Sequence, residues 1–153
     1  MFIKLKNERI FDWVMFIDDD EFLTFEDGYN LLLLELEYLS IPALMLSWKN
    51  YGANGHIKRP EGGLKENYTK EGVVVETDKR WAKKSLINLY MCSELEDIHI
   101  AKGAKDVNYN NNASAPLVYK KAWFNHYFTK SWEDYCERFF ERGNMSNDYR
   151  TLD

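Results

Sequence analysis

The sequence predicts an α/β fold: a mixed sheet flanked by helices. Two observations lead there. A five-residue apolar run, Trp13 to Ile17, ends on four consecutive acids, Asp18 to Glu21. Further along, strand-like stretches alternate with helix-like ones. A short apolar run closed by polar residues reads as a central strand buried on both faces. In open α/β sheets ligands gather beyond the carboxyl ends of the strands, and here that end carries the carboxylates.

Residues 1–11 place Phe2, Ile3, Leu5, Ile10 and Phe11 among basic residues, which suits a short helix feeding the first strand. In the acidic run, alternation along an extended chain points Asp18 and Asp20 one way and Asp19 the other. Two neighbouring carboxylates repel unless a cation sits between them or one is protonated. Mg²⁺ takes one or two carboxylates plus phosphate oxygens, and Mn²⁺ suits the same ligands. A metal–phosphate site is therefore expected here, the alternative being an acidic loop that caps the next helix.

A helix is expected over residues 28–39, opened by Gly28, carried by Leu31, Leu32, Leu34 and Leu36, and stopped by Ser40-Ile41-Pro42. Residues 43–48 read as a strand. A turn-rich loop follows at 49–56, where Gly52 and Gly55 permit positive φ. Residues 57–84 are the most polar stretch, broken by Gly62-Gly63 and Gly72, and read as a long mobile excursion of the kind that forms lids. A strand enters at Lys83-Lys84-Ser85 and runs to residue 91. His99, between Ile98 and Ile100, reads as a structural histidine, and the asparagines of 108–112 read as a turn. Residues 118–127 form the last strand. Ser131 with Asp134 makes a capping-box pattern for a final helix ended by Gly143. Trp132, Tyr135, Phe139 and Phe140 share one face of that helix as core packing. Residues 144–153 are polar and expected to fray.

The 153 residues, 45% hydrophobic, suit one domain with a real core, read as residues 1–153. A net charge of -5 and a pI near 5.3 argue against nucleic acid as a partner. Cys92 and Cys136 lie far apart, and Met1-Phe2-Ile3 runs into Lys4 and Lys6 with no signal-peptide core, so two free thiols and a cytoplasmic location are expected. Leu31 to Leu34 is too short to span a bilayer. Three Asn-x-Ser/Thr triplets, at Asn67, Asn112 and Asn144, are read as chance in that setting.

Several stretches together resemble the nucleotide-sugar glycosyltransferases of the family 2-like and family 92 group. These are the Phe-Ile-Asp-Asp-Asp-Glu-Phe run ending at Phe22, Trp48 with Tyr51-Gly52, the Gly55-His56 turn, Lys84-Ser85, and Asn125-His126-Tyr127 with Lys130-Ser131. They span most of the chain. The resemblance implies a partial GT-A-like fold in which the N-terminal nucleobase-binding strands are missing; in the alternative reading a partner chain supplies that half. It implies transfer of a sugar from a nucleoside-diphosphate sugar, a UDP sugar in the main reading, to a glycan or lipid-linked acceptor, with peripheral membrane association; the alternative is a truncated transferase fragment, inactive or partner-dependent, with no independent catalysis. It implies Mn²⁺ or Mg²⁺ on Asp18, Asp20 and His126, with Asp18, Lys84 and Lys130 toward the donor. Trp48, Tyr51 and His56 fall on the acceptor side, and Glu66 is the candidate general base. Phosphatases with an aspartate nucleophile also carry Asp-x-Asp after an apolar strand, but need Thr or Val where Phe22 stands. A glycoside hydrolase is a poor fit, because no pair of carboxylates separated across a cleft is recognisable.

Overall fold

A computed structural model describes residues 2–72, 83–97, 99–107 and 120–141. The chain divides into two compact units, Met1–Lys49 with Val74–Asn125, and Asn50–Val73 with His126–Asp153.

The first unit begins with helix α1 (Phe2–Glu8), then strands β1 (Trp13–Val14) and β2 (Glu21–Phe25) and helix α2 (Leu31–Glu37). β3 (Ala43–Asn50), β4 (Lys83–Asn88), β5 (Lys105–Asp106) and β6 (Ala122–His126) complete the sheet; the last residues of β3 and β6 already belong to the second unit. The strand order is β1-β4-β3-β6-β2, with β5 also paired to β3. The sheet is mixed: β4 pairs antiparallel with both β1 and β3, whereas β5 runs parallel to β3.

Alternation along the strands builds two cores. Leu44, Leu46, Leu86 and Phe124 form one with Leu34 and Tyr38 of the α2 region. Ala43 and Ile87 join Cys92 and Ala101 in the other, against Phe2 of α1. Neighbours such as Leu86 and Ile87 thus serve opposite faces, and each face has a helix against it. This is the expected α/β layering.

The apolar run explains itself in the same terms. Trp13 and Met15 pack against the first core, Val14 and Phe16 against the second. Two-sided burial is therefore real, but the position is not central. β1 is two residues long, half-buried, and stands at an edge of the described sheet. Ile17 is already exposed.

Asn30, not Gly28, opens α2: its side chain accepts the Leu33 N–H at 3.0 Å. Gly28, with φ of 82°, lies in the preceding turn, where a residue other than glycine would be strained. Only Leu34 of the α2 leucines is buried; Leu32 and Leu36 are exposed. β2 and β5 were not expected. The strand from Lys83 ends at Asn88 rather than 91, because Asn88 turns the chain by accepting the Tyr90 N–H on its side chain at 3.0 Å.

The second unit holds the short helix α3 (Leu64–Asn67) and α4 (Trp132–Cys136), which continues as a π-helical turn, Glu137–Glu141. Ser131 and Asp134 form the expected reciprocal cap. Ser131 Oγ accepts the Asp134 N–H at 3.1 Å, and Asp134 Oδ2 accepts the Ser131 N–H at 3.2 Å. Trp132 departs from the expected core packing: it is 52% exposed and stacks on Tyr135. Residues 57–72 of the polar excursion are tied down. Arg59 reaches Asp134 and Glu137, each at 2.5 Å, and its N–H donates to Glu133 at 2.8 Å. Residues 73–82, the turn at 108–112, the start of the last expected strand, Gly143 and the tail at 144–153 lie outside the described residues.

Candidate functional site

The acidic run becomes a clasp in the first unit. β1 ends at Val14, and Asp19-Asp20 form a turn before Glu21 opens β2. The expected alternation therefore gives way: Asp18 and Asp19 are exposed and Asp20 is buried. The turn is closed twice. The Asp18 N–H donates to Glu21 Oε2 at 3.0 Å, and the Glu21 N–H donates to the Asp18 carbonyl at 3.2 Å.

Lys84 comes to this turn from β4. Its ammonium lies 2.9 Å from Asp18 Oδ2 and 2.6 Å from Glu21 Oε2. The environments differ sharply. Lys84 is 3% exposed, the Glu21 side chain 0%, and the Asp18 side chain 63%. Glu21 Oε1 has no hydrogen-bond partner. Burial pushes the Glu21 carboxyl above the ordinary range, and the bonds from Lys84 and the Asp18 backbone only partly offset it. Next along β4, Lys83 pairs with Asp106. Trp48, also in the first unit, packs against the first core and meets His99 edge-on, with ring centroids 5.7 Å apart.

In the second unit, His126 closes β6 and is buried. Its Nδ1 lies 2.9 Å from Asn50 Oδ1. With Asn50 Oδ1 as the acceptor, the proton of this contact sits on Nδ1, and Asn50 holds the ring in place. The His126 carbonyl accepts the Tyr51 N–H at 2.9 Å, and the Tyr51 ring stacks on Tyr127 at 4.9 Å. Lys130 adopts φ of 51° just before Ser131, a left-handed conformation that sets the sharp turn into α4.

His56 and Glu66 are held by local structure. His56 Nε2 lies 3.1 Å from the Asn67 carbonyl, its ring meets Tyr68 edge-on, and its own carbonyl accepts the Trp132 N–H. Glu66 is exposed, and its Oε2 accepts the Gly63 N–H at 3.2 Å at the start of α3.

The structure thus joins Asp18 to Lys84 in one unit and gathers Tyr51 beside His126 in the other. Glu21, Asn50 and Tyr127 are partners that sequence reasoning missed. Glu21 was visible as a fourth acid, and Tyr127 as the third residue of Asn-His-Tyr. Nothing in the sequence marked Asn50. Among the described residues, no group of three or more His, Cys, Asp or Glu forms a ready metal-binding cluster. Within the first unit, the Asp18 carboxylate is open to solvent and Asp20 is buried. No described helix is long and apolar enough to cross a membrane.

The chain is 27% identical over 134 residues to a glycosyltransferase family 92 protein of Oryza sativa subsp. japonica, a match covering 86% of this chain and 22% of that protein. It is also 27% identical over 142 residues to a glycosyltransferase family 92 protein of Ricinus communis, covering 90% of this chain and 24% of that one. The chain therefore spans about a quarter of the length of the curated relatives it matches. No family model and no solved structure matches it. The resemblance to family 92 read from the sequence is borne out by these two relatives.

Proposed function

We propose that this chain supplies part of the catalytic domain of a metal-dependent glycosyltransferase. The reaction is transfer from a nucleoside-diphosphate sugar, a UDP sugar in the first instance, to a hydroxyl of a glycan or lipid-linked acceptor. The observation that carries the reading is the acidic turn. In a chain similar to two family 92 proteins, it presents an exposed carboxylate at the end of an apolar run.

Departure of the diphosphate develops negative charge, and a bound Mn²⁺ or Mg²⁺ would neutralise it. Asp18 and Asp20 would hold that ion on the turn. Glu21 and Lys84 fix the turn's backbone and the Asp18 carboxylate, so the site needs little rearrangement on binding. In the second unit, His126, held by Asn50, is a separate candidate metal ligand. Lys130 is a candidate cation toward phosphate oxygens. Tyr51, stacked on Tyr127, offers a flat aromatic surface of the kind that packs against a sugar face, with Trp48 and His56 as further acceptor-side candidates. Glu66, exposed on α3, is the candidate base for the acceptor hydroxyl.

The test is calorimetric titration of UDP into the chain with and without Mn²⁺, repeated on Asp20→Ala. Mn²⁺-dependent binding that the substitution abolishes is expected. Equal nucleotide affinity in wild type and variant sinks the assignment. His126→Ala and Glu66→Gln, assayed for sugar transfer once a donor is found, separate ligand from base.

A second reading has its own observation. A groove of about 410 Å³ beside β1 is lined by Trp13, Leu32, Leu36, Leu39, Tyr90 and Met91, and β1 is an edge strand of the described sheet. A strand at the edge of the described sheet, beside apolar side chains, suits pairing with another strand. On this reading the chain acts only with a partner chain. A folded chain that binds no UDP in the same titration favours it.

A further inference from the structure

We infer that the groove beside β1 is the seat of a second copy of this chain, each copy laying its Arg9-Ile10-Phe11 segment into the groove of the other about a two-fold axis. The inference rests on the second reading, in which the β1 side takes another chain, and names that chain.

The groove has an apolar and an acidic character. Leu32 and Leu36 of α2, with Leu39 just beyond it, recur at helical spacing, and each is more than half exposed. Tyr90 and Met91 line the same groove and are also exposed. Apolar surface gathered in a groove favours burial against a partner. Among these side chains stand two acids, Asp12 and Glu35. Burial, and then the Asp12 charge, pushes the Glu35 carboxyl above the ordinary range. An occupant that brings a cation together with apolar side chains matches both characters.

The chain carries such a segment itself. Arg9, Ile10 and Phe11 follow α1 and are all exposed. Arg9, with φ of 50°, ends the helix and turns the chain out of it. A smaller hollow of about 220 Å³, lined in part by Lys6, Arg9 and Phe11, shares Tyr90 with the acidic groove. An acidic apolar half and a basic apolar half therefore meet at Tyr90. A two-fold contact needs a self-complementary patch, and here the basic half of one copy matches the acidic half of the other. Arg9 to Phe11 run directly into Asp12 and Trp13, which line the groove, so segment and groove both lie close to such an axis. β1, at an edge of the described sheet, lies there too.

The experiment is sedimentation velocity over a concentration series, with folding checked by circular dichroism. The chains are wild type, Arg9→Glu, Glu35→Arg, the double variant and Leu36→Glu. All three substituted side chains lie at least partly in solvent, so the variants are expected to fold. Wild type is expected to be a reversible dimer. Each single charge reversal is expected to weaken the dimer about ten-fold, and the double variant to recover most of that loss. Leu36→Glu is expected to be a monomer.

A wild-type chain that stays monomeric overturns the inference and leaves the second reading standing for a different partner. A dimer that ignores the charge reversals and Leu36→Glu also overturns it, because that dimer forms elsewhere. A monomeric Leu36→Glu chain that binds UDP as well as the wild-type dimer overturns the reading that the chain acts only with a partner, and leaves the dimer contact intact.

Discussion

The acidic turn and the Arg59 cluster are both carboxylates gathered around one cation, and they are built in opposite ways. Lys84 is buried and leaves one of its carboxylates, Asp18, facing water. Arg59 is half exposed, while Asp134, the carboxylate it grips, is mostly covered. In the first case the cation is the fixed part and the acid is available. In the second the acids are the fixed part and the cation is a strap across 57–72. The contrast teaches where to look for function: charge made available from a rigid base suits binding, and charge consumed in closing a loop suits stability.

The strongest way to break the comparison is Lys84→Ala. It leaves Glu21 buried without its cation, and a loss on the order of 3 kcal/mol is expected in chemical denaturation. A loss below about 1 kcal/mol would mean that Lys84 is no more a fixed base than Arg59. Next in size is Ser131→Ala, which removes a hydroxyl that both accepts from and donates to Asp134 and caps α4. About 1 kcal/mol is expected, read from the urea midpoint at constant slope. Arg59→Ala is expected to cost less than about 1 kcal/mol in equilibrium unfolding, since its guanidinium is half in solvent. Its clearer signature is faster proteolysis within 57–72.

The smallest expected effect is on pH dependence. Burial pushes the Asp134 carboxyl up, but the bonds from Ser131 and Arg59 outweigh it and hold the group below the ordinary range. A depressed carboxyl stabilises the fold fully above its unfolded pKa, near about 4. That contribution is lost as pH falls through the folded value. Thermal melts of Asp134→Asn between pH 6 and pH 3, on the order of the window this titration spans, are expected to show a flatter acid limb than wild type. An unchanged limb would show that the strap is electrostatically idle.

How legible these features were depended on how local they are. The Ser131–Asp134 cap lies within four residues and was read correctly, because both partners and the spacing sit in one turn. The two-sided burial of Trp13 to Phe16 was also readable, since it follows from alternation and an unbroken apolar run. Its edge position was not, because strand order depends on pairing with β4, far along the chain. β2 was hidden for a related reason. Its first residue, Glu21, looked like the end of an acidic loop, and its burial is rational only beside Lys84. Lys84 was read as a cation near a diphosphate or in solvent; its burial beside Glu21 follows from the register of β4, which the sequence does not show. His126 was marked by its Asn-His-Tyr setting, whereas Asn50, which sets its tautomer, carried no signal of its own.

The distance along the chain between the acidic run and Lys84 also bears on how the protein is made. Trp13 pairs with Asn88, and Asp18 with Lys84, so neither contact can form until β4 has been synthesised. Until then the nascent chain carries an apolar strand without its partner and four adjacent acids without their cation. Long-range closures of this kind are slow and leave sticky surface exposed. On a ribosome, the interval between Glu21 and Lys84 is when this chain is most open to chaperones and most prone to misassembly.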